Sequence, residues 1–130
     1  MRAFYKKCSH NPNVVKNIVV INSNAGLEPW PSQPVSVAMK RAIISLAQSQ
    51  ASLWRKLNIK INTIAPGTVV AEKNINVLKM KFPNFPYNPN RPLGKNAFPQ
   101  DLYDTCRFLM NPRLLITGHI IVIDDGSNLV

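Results

Sequence analysis

Glycine, cysteine, histidine and acidic residues are all scarce in this chain, and each scarcity closes off a class of function. Its 130 residues hold five glycines, Gly26, Gly67, Gly94, Gly118 and Gly126, the closest pair eight positions apart. A phosphate-cradling loop needs clustered glycines so that backbone N–H groups can approach the ligand, and none can be built from these. Two cysteines, Cys8 and Cys106, and two histidines, His10 and His119, stand far apart in the sequence. They offer no metal-ligand spacing, so no metal is expected, and free thiols imply the cytoplasm or another reducing compartment. His119 stands at the start of an apolar run and reads as structural. The chain is free of acids until Glu28, a trait shared with transit peptides, which keeps a mitochondrial location open. No apolar run approaches the roughly 20 residues that span a bilayer, and Met1 to His10 lacks the apolar centre of a secretory signal. No membrane partner is expected.

Six acids face sixteen Lys and Arg, a net charge of +10. The excess is concentrated in residues 1–95, which carry +12, whereas residues 96–130 carry −2. Such a field favours an acidic protein or an RNA-containing assembly as partner. The longest basic runs are pairs, Lys6-Lys7, Lys40-Arg41 and Arg55-Lys56, so no dedicated nucleic-acid motif is present.

What the chain does have is a hydrophobic content of 45% and enough length for one domain with a core. Residues 1–15 read as an N-terminal segment, with a short amphipathic helix over Met1 to His10, and residues 16–130 as the folded body. Lys16 to Ser23 contains the β-branched run Ile18-Val19-Val20-Ile21 and reads as a buried parallel strand. Val35 to Leu57 carries apolar residues at helical spacing, with a face broad enough for a second contact beyond the sheet. Ile59 to Ile64 is a second strand, interrupted by Lys60 and Asn62 and stopped by Pro66-Gly67. Thr68 to Lys95 reads as an extended, basic, aromatic-bearing loop, because Pro83, Pro86, Pro89 and Pro92 exclude a long helix. Pro99 to Met110 is a helix with Asp101 in its first turn, and His119 to Ile123 a third strand before Asp124-Asp125-Gly126. Strand, helix, strand, helix, strand predicts an α/β fold with a three-stranded parallel sheet.

Four features in this order carry a resemblance: Ser23 at a strand end, Lys40 in the following helix, NTIAPG at Asn62 to Gly67, and ITG, strand and DG over Ile116 to Gly126. Together they resemble the short-chain dehydrogenase/reductase family, in particular the 3-oxoacyl-carrier-protein reductases, and they correspond to the second half of a member from about Lys16 to Leu129. The resemblance implies a partial Rossmann-like fold with flanking helices that lacks the N-terminal nucleotide-binding half. It also implies a proton relay in which a tyrosine is the acid/base, a lysine four residues later lowers its pKa and binds the nicotinamide ribose, and a serine thirteen residues earlier polarises the substrate carbonyl. A phenol titrates near 10, so a neighbouring ammonium makes it useful at neutral pH.

Lys40 matches the lysine and Ser23 the serine, but the tyrosine position is Ser36, whose hydroxyl is shorter and a far weaker acid. Pro66, Gly67 and Val69 resemble the turn that lines the nicotinamide, and Ala71 stands where the family has a phosphate-contacting threonine. Two expectations follow. In the first, the chain is catalytically silent, holds no cofactor and acts as a binding or scaffold subunit. In the alternative it is an NAD(P)-dependent oxidoreductase whose nucleotide-binding half comes from another chain, with Lys40, Pro66, Gly67 and Val69 as cofactor contacts. In either, the strand Ile18 to Ser23 is an open edge that the N-terminal segment, a second copy or a protein partner should cover.

Overall fold

The strand Ile59–Pro66 (β2) is the centre of the molecule, and the reason lies in its sequence, IKINTIAP. Ile59, Ile61, Ile64 and Ala65 are all fully or almost fully buried, as expected of a parallel strand covered on both faces. The two polar residues that interrupt the run have a structural task. Lys60 Nζ donates to the carbonyls of Pro112 and Leu114. Asn62, only 3% exposed, donates through Nδ2 to Ile116 O at 2.9 Å and accepts the His119 N–H at 3.1 Å. Both side chains thus hold the segment that leads into the next strand.

The structure, a computed structural model, describes residues 13–129. Their order is β1 (Lys16–Ile21), α1 (Pro34–Trp54), β2, α2 (Glu72–Lys81), α3 (Pro99–Leu109) and β3 (Ile120–Ile123). The sheet is parallel and three-stranded in the order β1-β2-β3, with Lys16 opposite Ile59 and Thr63 opposite Ile120. This is the partial Rossmann-like arrangement expected. The helix proposed over Met1 to His10, with Cys8 and His10, lies outside the described residues.

The strands β1 and β3 are slightly shorter than expected and β2 runs two residues longer, although the Asn22 N–H and the His119 carbonyl still bond to β2. α1 stops at Trp54 and tightens into a 3₁₀ turn over Arg55–Leu57, closed by Asn58 in the left-handed region at φ 53°. Its inner face puts Ala47, Ala51 and Trp54 against Ile59 and Ile61. Its outer face leaves Val35, Met39, Leu46 and Leu53 exposed.

The clear departure is α2, which occupies Glu72–Lys81 inside the stretch expected to be an extended loop. The prolines that argued against a helix begin only at Pro83, one turn too late to interfere. Ala71 has no side chain to cap with, but Asn74 Oδ1 accepts its N–H at 2.8 Å, and Glu72 and Lys79/Lys81 sit at the ends that suit the helix dipole. Leu78 and Ile75 then pack with Val70 and Phe82 in a second small core. Beyond it the proline-rich loop is organised by Asn88, which is buried. Its N–H donates to Gly94 O at 2.7 Å, its side chain accepts the Asn90 N–H at 3.0 Å, and its Nδ2 donates to Asn96 Oδ1 at 3.2 Å.

Candidate functional site

Parallel α/β sheets place ligands beyond the carboxyl ends of their strands, and here all three strand ends open onto one cleft. Asn22 leaves β1 with its N–H on Ile64 O and its Nδ2 on the carbonyl of Lys40 at 2.8 Å, which ties the strand end to α1. Ser23 follows as the cap of a 3₁₀ turn over Asn24–Gly26, accepting the Ala25 N–H at 3.2 Å. That turn packs tightly on α1. A Cβ added to Gly26 would stand 2.8 Å from Ile44 Cδ1 and 3.1 Å from Lys40 Cβ.

From β2 comes Pro66-Gly67-Thr68, with the Gly67 N–H on Ile123 O at 2.9 Å. From β3 comes the turn Asp124-Asp125-Gly126. Asp124 is buried and accepts from Gly126 N, Ser127 Oγ and Asn128 N at 3.0–3.1 Å. Asn128 in turn accepts from Asn24 Nδ2 at 3.3 Å, so the β1 and β3 loops are joined across the cleft.

The resulting cavity has a volume of about 430 Å³ and is lined by Ser23, Asn24, Glu28, Pro29, Trp30, Gly67, Thr68, Arg91 and Ser127. Of the residues singled out from the sequence, it brings together Ser23 and Gly67. Lys40 and Ser36, both half-buried on α1, are not in its lining, and neither are Pro66 and Val69. Pro66 is the last residue of β2, opposite Ile123. Val69 makes a parallel bridge to Ala97, and its carbonyl accepts from Asn74 Nδ2 at 2.8 Å. Ala71 is an extended N-cap with no polar side chain. His119 is exposed and away from the cleft. The described residues contain no His, Cys, Asp and Glu cluster suited to a metal ion and no helix long and apolar enough to cross a membrane.

Glu28, Trp30, Thr68, Arg91 and Ser127 were not anticipated as site residues. The order of loops at strand ends hints at Thr68 and Ser127. Nothing local marks Glu28 or Arg91, which reach the cleft on long irregular segments. Arg91 is fixed there by donating from Nη2 to Thr68 Oγ1 at 2.9 Å. Chemically, the lining offers three aliphatic hydroxyls, one carboxylate, one guanidinium and the apolar surfaces of Pro29 and Trp30. Among the described residues it contains no tyrosine, lysine or histidine, so none of them brings a phenol–ammonium relay to the wall.

A family model described as enoyl-(acyl carrier protein) reductase matches residues 1–128. The ribulose-forming D-arabinitol 2-dehydrogenase of Candida albicans (strain WO-1) is 28% identical over 96% of this chain and 46% of its own length. Inactive 2-(S)-hydroxypropyl-CoM dehydrogenase 2 of Xanthobacter autotrophicus (strain ATCC BAA-1158 / Py2) is 27% identical over 87% of this chain and 51% of its own. The solved structure of ElxO with NADP bound superimposes with a TM-score of 0.81 at 27% identity, covering 99% of this chain and 50% of that one. The chain spans about half the length of the curated relatives it matches. With its parallel sheet, strand-end serine and helix lysine in this order, the chain belongs to the short-chain dehydrogenase/reductase family.

Proposed function

We propose that this chain is a catalytically silent short-chain dehydrogenase/reductase module that works as a binding or scaffold subunit. The observation that carries the reading is Ser36, which stands thirteen residues after Ser23 and four before Lys40, where the family relay has its tyrosine. An aliphatic hydroxyl does not release a proton near neutral pH, and it is too short to reach where a phenol would.

The dinucleotide side supports the same reading. Ala71 offers a methyl where the family has a phosphate-contacting hydroxyl, and the described residues hold no glycine-rich turn. Gly67 has a sufficient structural reason to be glycine in its contact with Asp124. These residues do not fit a dinucleotide held by this chain alone. A relative of comparable similarity also carries "inactive" in its name.

The open side of β1 argues for an assembly. Among the described residues β1 pairs only with β2, which leaves Ile18 to Ile21 with an unpaired backbone edge. A second copy or a protein partner covering that edge is the expected quaternary arrangement. The positive field of the first 95 residues suits an acidic partner or an RNA-containing particle.

The test is Ser36→Tyr. The purified variant, like the parent, should oxidise neither NADH nor NADPH against a panel of ketones and aldehydes. Clear reductase turnover from that single change sinks the silent-module reading.

A second reading has its own supporting observation: Ser23 and Gly67 share the cleft at the strand ends. In it, another chain provides the nucleotide-binding half, and Ser23 and Lys40 hold substrate carbonyl and ribose with Pro66, Gly67 and Val69 beneath the nicotinamide of NAD(P). Isolation of the protein under native conditions with a second, glycine-loop-bearing chain supports it; a stable assembly of this chain alone counts against it.

A further inference from the structure

Helix α2 turns two different faces to its surroundings. Leu78 is buried and packs with Ile75, Val70 and Phe82 in the second core. Lys73, Val77, Met80 and Lys81 stand at i, i+4, i+7 and i+8, which gathers them on the side away from that core. Val77 is 58% exposed and Met80 78%, and both lysines beside them are exposed. Two aliphatic side chains thus project from a short helix between two ammonium groups.

The charge continues along the chain. From Lys73 to Gln100 there are five cations, Lys73, Lys79, Lys81, Arg91 and Lys95, and no acid. Glu72, in the first turn of α2, is the acid that precedes them. Among the described residues Lys73 and Lys79 have no hydrogen-bond or ion-pair partner, and the Lys81 ammonium lies 5.7 Å from the centre of the Phe82 ring. In the loop beyond, Tyr87 pairs antiparallel with Lys95, which sets phenol and ammonium side by side. Lys95 also borders a cavity with Asp101, Asp104 and Asp125, so the anionic contact is assigned to α2.

An RNA strand would engage the lysines but offers no apolar medium for Val77 and Met80. A folded acidic protein would need a pocket shaped to this ridge. An anionic bilayer meets both demands with no preformed pocket, because its surface is negative and aliphatic tips enter the boundary between headgroups and acyl chains. The net charge of +10 acts in the same direction. Such a surface contact requires no membrane-spanning run.

We propose that the outer face of α2 docks on an anionic lipid bilayer, with Val77 and Met80 in the headgroup–acyl boundary and Lys73 and Lys81 at the lipid phosphates. This partner lies beyond the binding-module reading and is independent of whether the chain holds a cofactor.

The test is co-sedimentation of the full 130-residue chain with vesicles of phosphatidylcholine, alone or mixed equally with phosphatidylserine. The mixed vesicles should bind the protein saturably, and phosphatidylcholine alone about tenfold or more weakly. Lys73→Gln combined with Lys81→Gln should weaken binding to mixed vesicles by about tenfold or more. Val77→Ser combined with Met80→Ser should do the same with every lysine kept. Each pair is first checked for an unchanged melting temperature. Lys56→Gln, in the turn after α1, should leave binding as it is. The proposal is overturned by absence of binding to mixed vesicles, by equal binding to phosphatidylcholine, by full affinity in either folded double variant, or by an equal loss in Lys56→Gln. Binding of polyuridylate without binding of vesicles also overturns it and gives the lysines to RNA. None of these readouts uses NADH or NADPH, so a failure here leaves the silent-module reading standing, and turnover by Ser36→Tyr leaves this one standing.

Discussion

Gly67 lies so close to Asp124 that a side chain between them would be crowded. A Cβ placed on Gly67 would lie 3.0 Å from Asp124 Cβ and 3.2 Å from Asp124 Cα. Asp124 cannot withdraw, because its carboxylate accepts three hydrogen bonds that shape the turn after β3. The glycine of the strand-end turn is therefore required by the meeting of two strand ends, whether or not a nicotinamide ever lies over it.

Gly67→Ala should accordingly destabilise the fold by about 1–3 kcal/mol, the usual cost of overpacking a close contact. Urea unfolding of the purified chain measures it. An unchanged midpoint would show that the turn relaxes freely and would return Gly67 to a role in ligand approach.

Burial separates two aliphatic residues that the sequence makes look alike. Ile64 is 0% exposed on the central strand, whereas Leu53 is 67% exposed on the outer face of α1. Ile64→Ala should cost about 2–5 kcal/mol by leaving a cavity in the sheet's core. Leu53→Ala should stay within about 0.5 kcal/mol if that face meets solvent. A cost at Leu53 approaching that at Ile64 in equilibrium unfolding would place a second chain over α1.

The open edge of β1 can be closed chemically. Lys16 and Asn22 donate their N–H groups to Asn58 and Ile64, so by the period of two the N–H of Val19 points away from β2. Proline at such an outward position removes no internal ladder bond. Val19→Pro should keep the melting temperature within about 4–8 °C of the parent, and, if a second copy covers this edge as proposed, light scattering should show monomers where the parent associates. An assembly that survives the substitution would move the interface to the exposed residues of α1.

Much of this architecture is legible along the chain because its signals are local. The run Ile18 to Ile21, the helical spacing from Ile44 to Trp54, and Pro99 with Asp101 each announce an element through neighbours a few residues away. Helix α2 was obscured by the density of prolines that follow it, although Ile75, Leu78 and Phe82 at i, i+3 and i+7 carry its amphipathic signature. The cleft is a different matter. Glu28, Thr68, Arg91 and Ser127 are brought together by loops whose paths depend on Asn88, Asp124 and Asn24, and no short-range pattern encodes such a meeting. Ser23 could be named because family likeness pointed to it; Arg91 could be found only in three dimensions.

The register of the sheet also fixes when the molecule can be finished. Lys16 faces Ile59 and Thr63 faces Ile120, so each strand pairing among the described residues closes a loop of more than forty residues, and none of the sheet's described pairings is a hairpin. Chains built this way assemble late and slowly, after their local helices have formed. During that interval β1 is also without β2, its one strand partner among the described residues. A partner that caps its outer edge would therefore shorten the period in which the newly made chain is exposed to aggregation, acting on the yield of folded protein as well as on its final assembly.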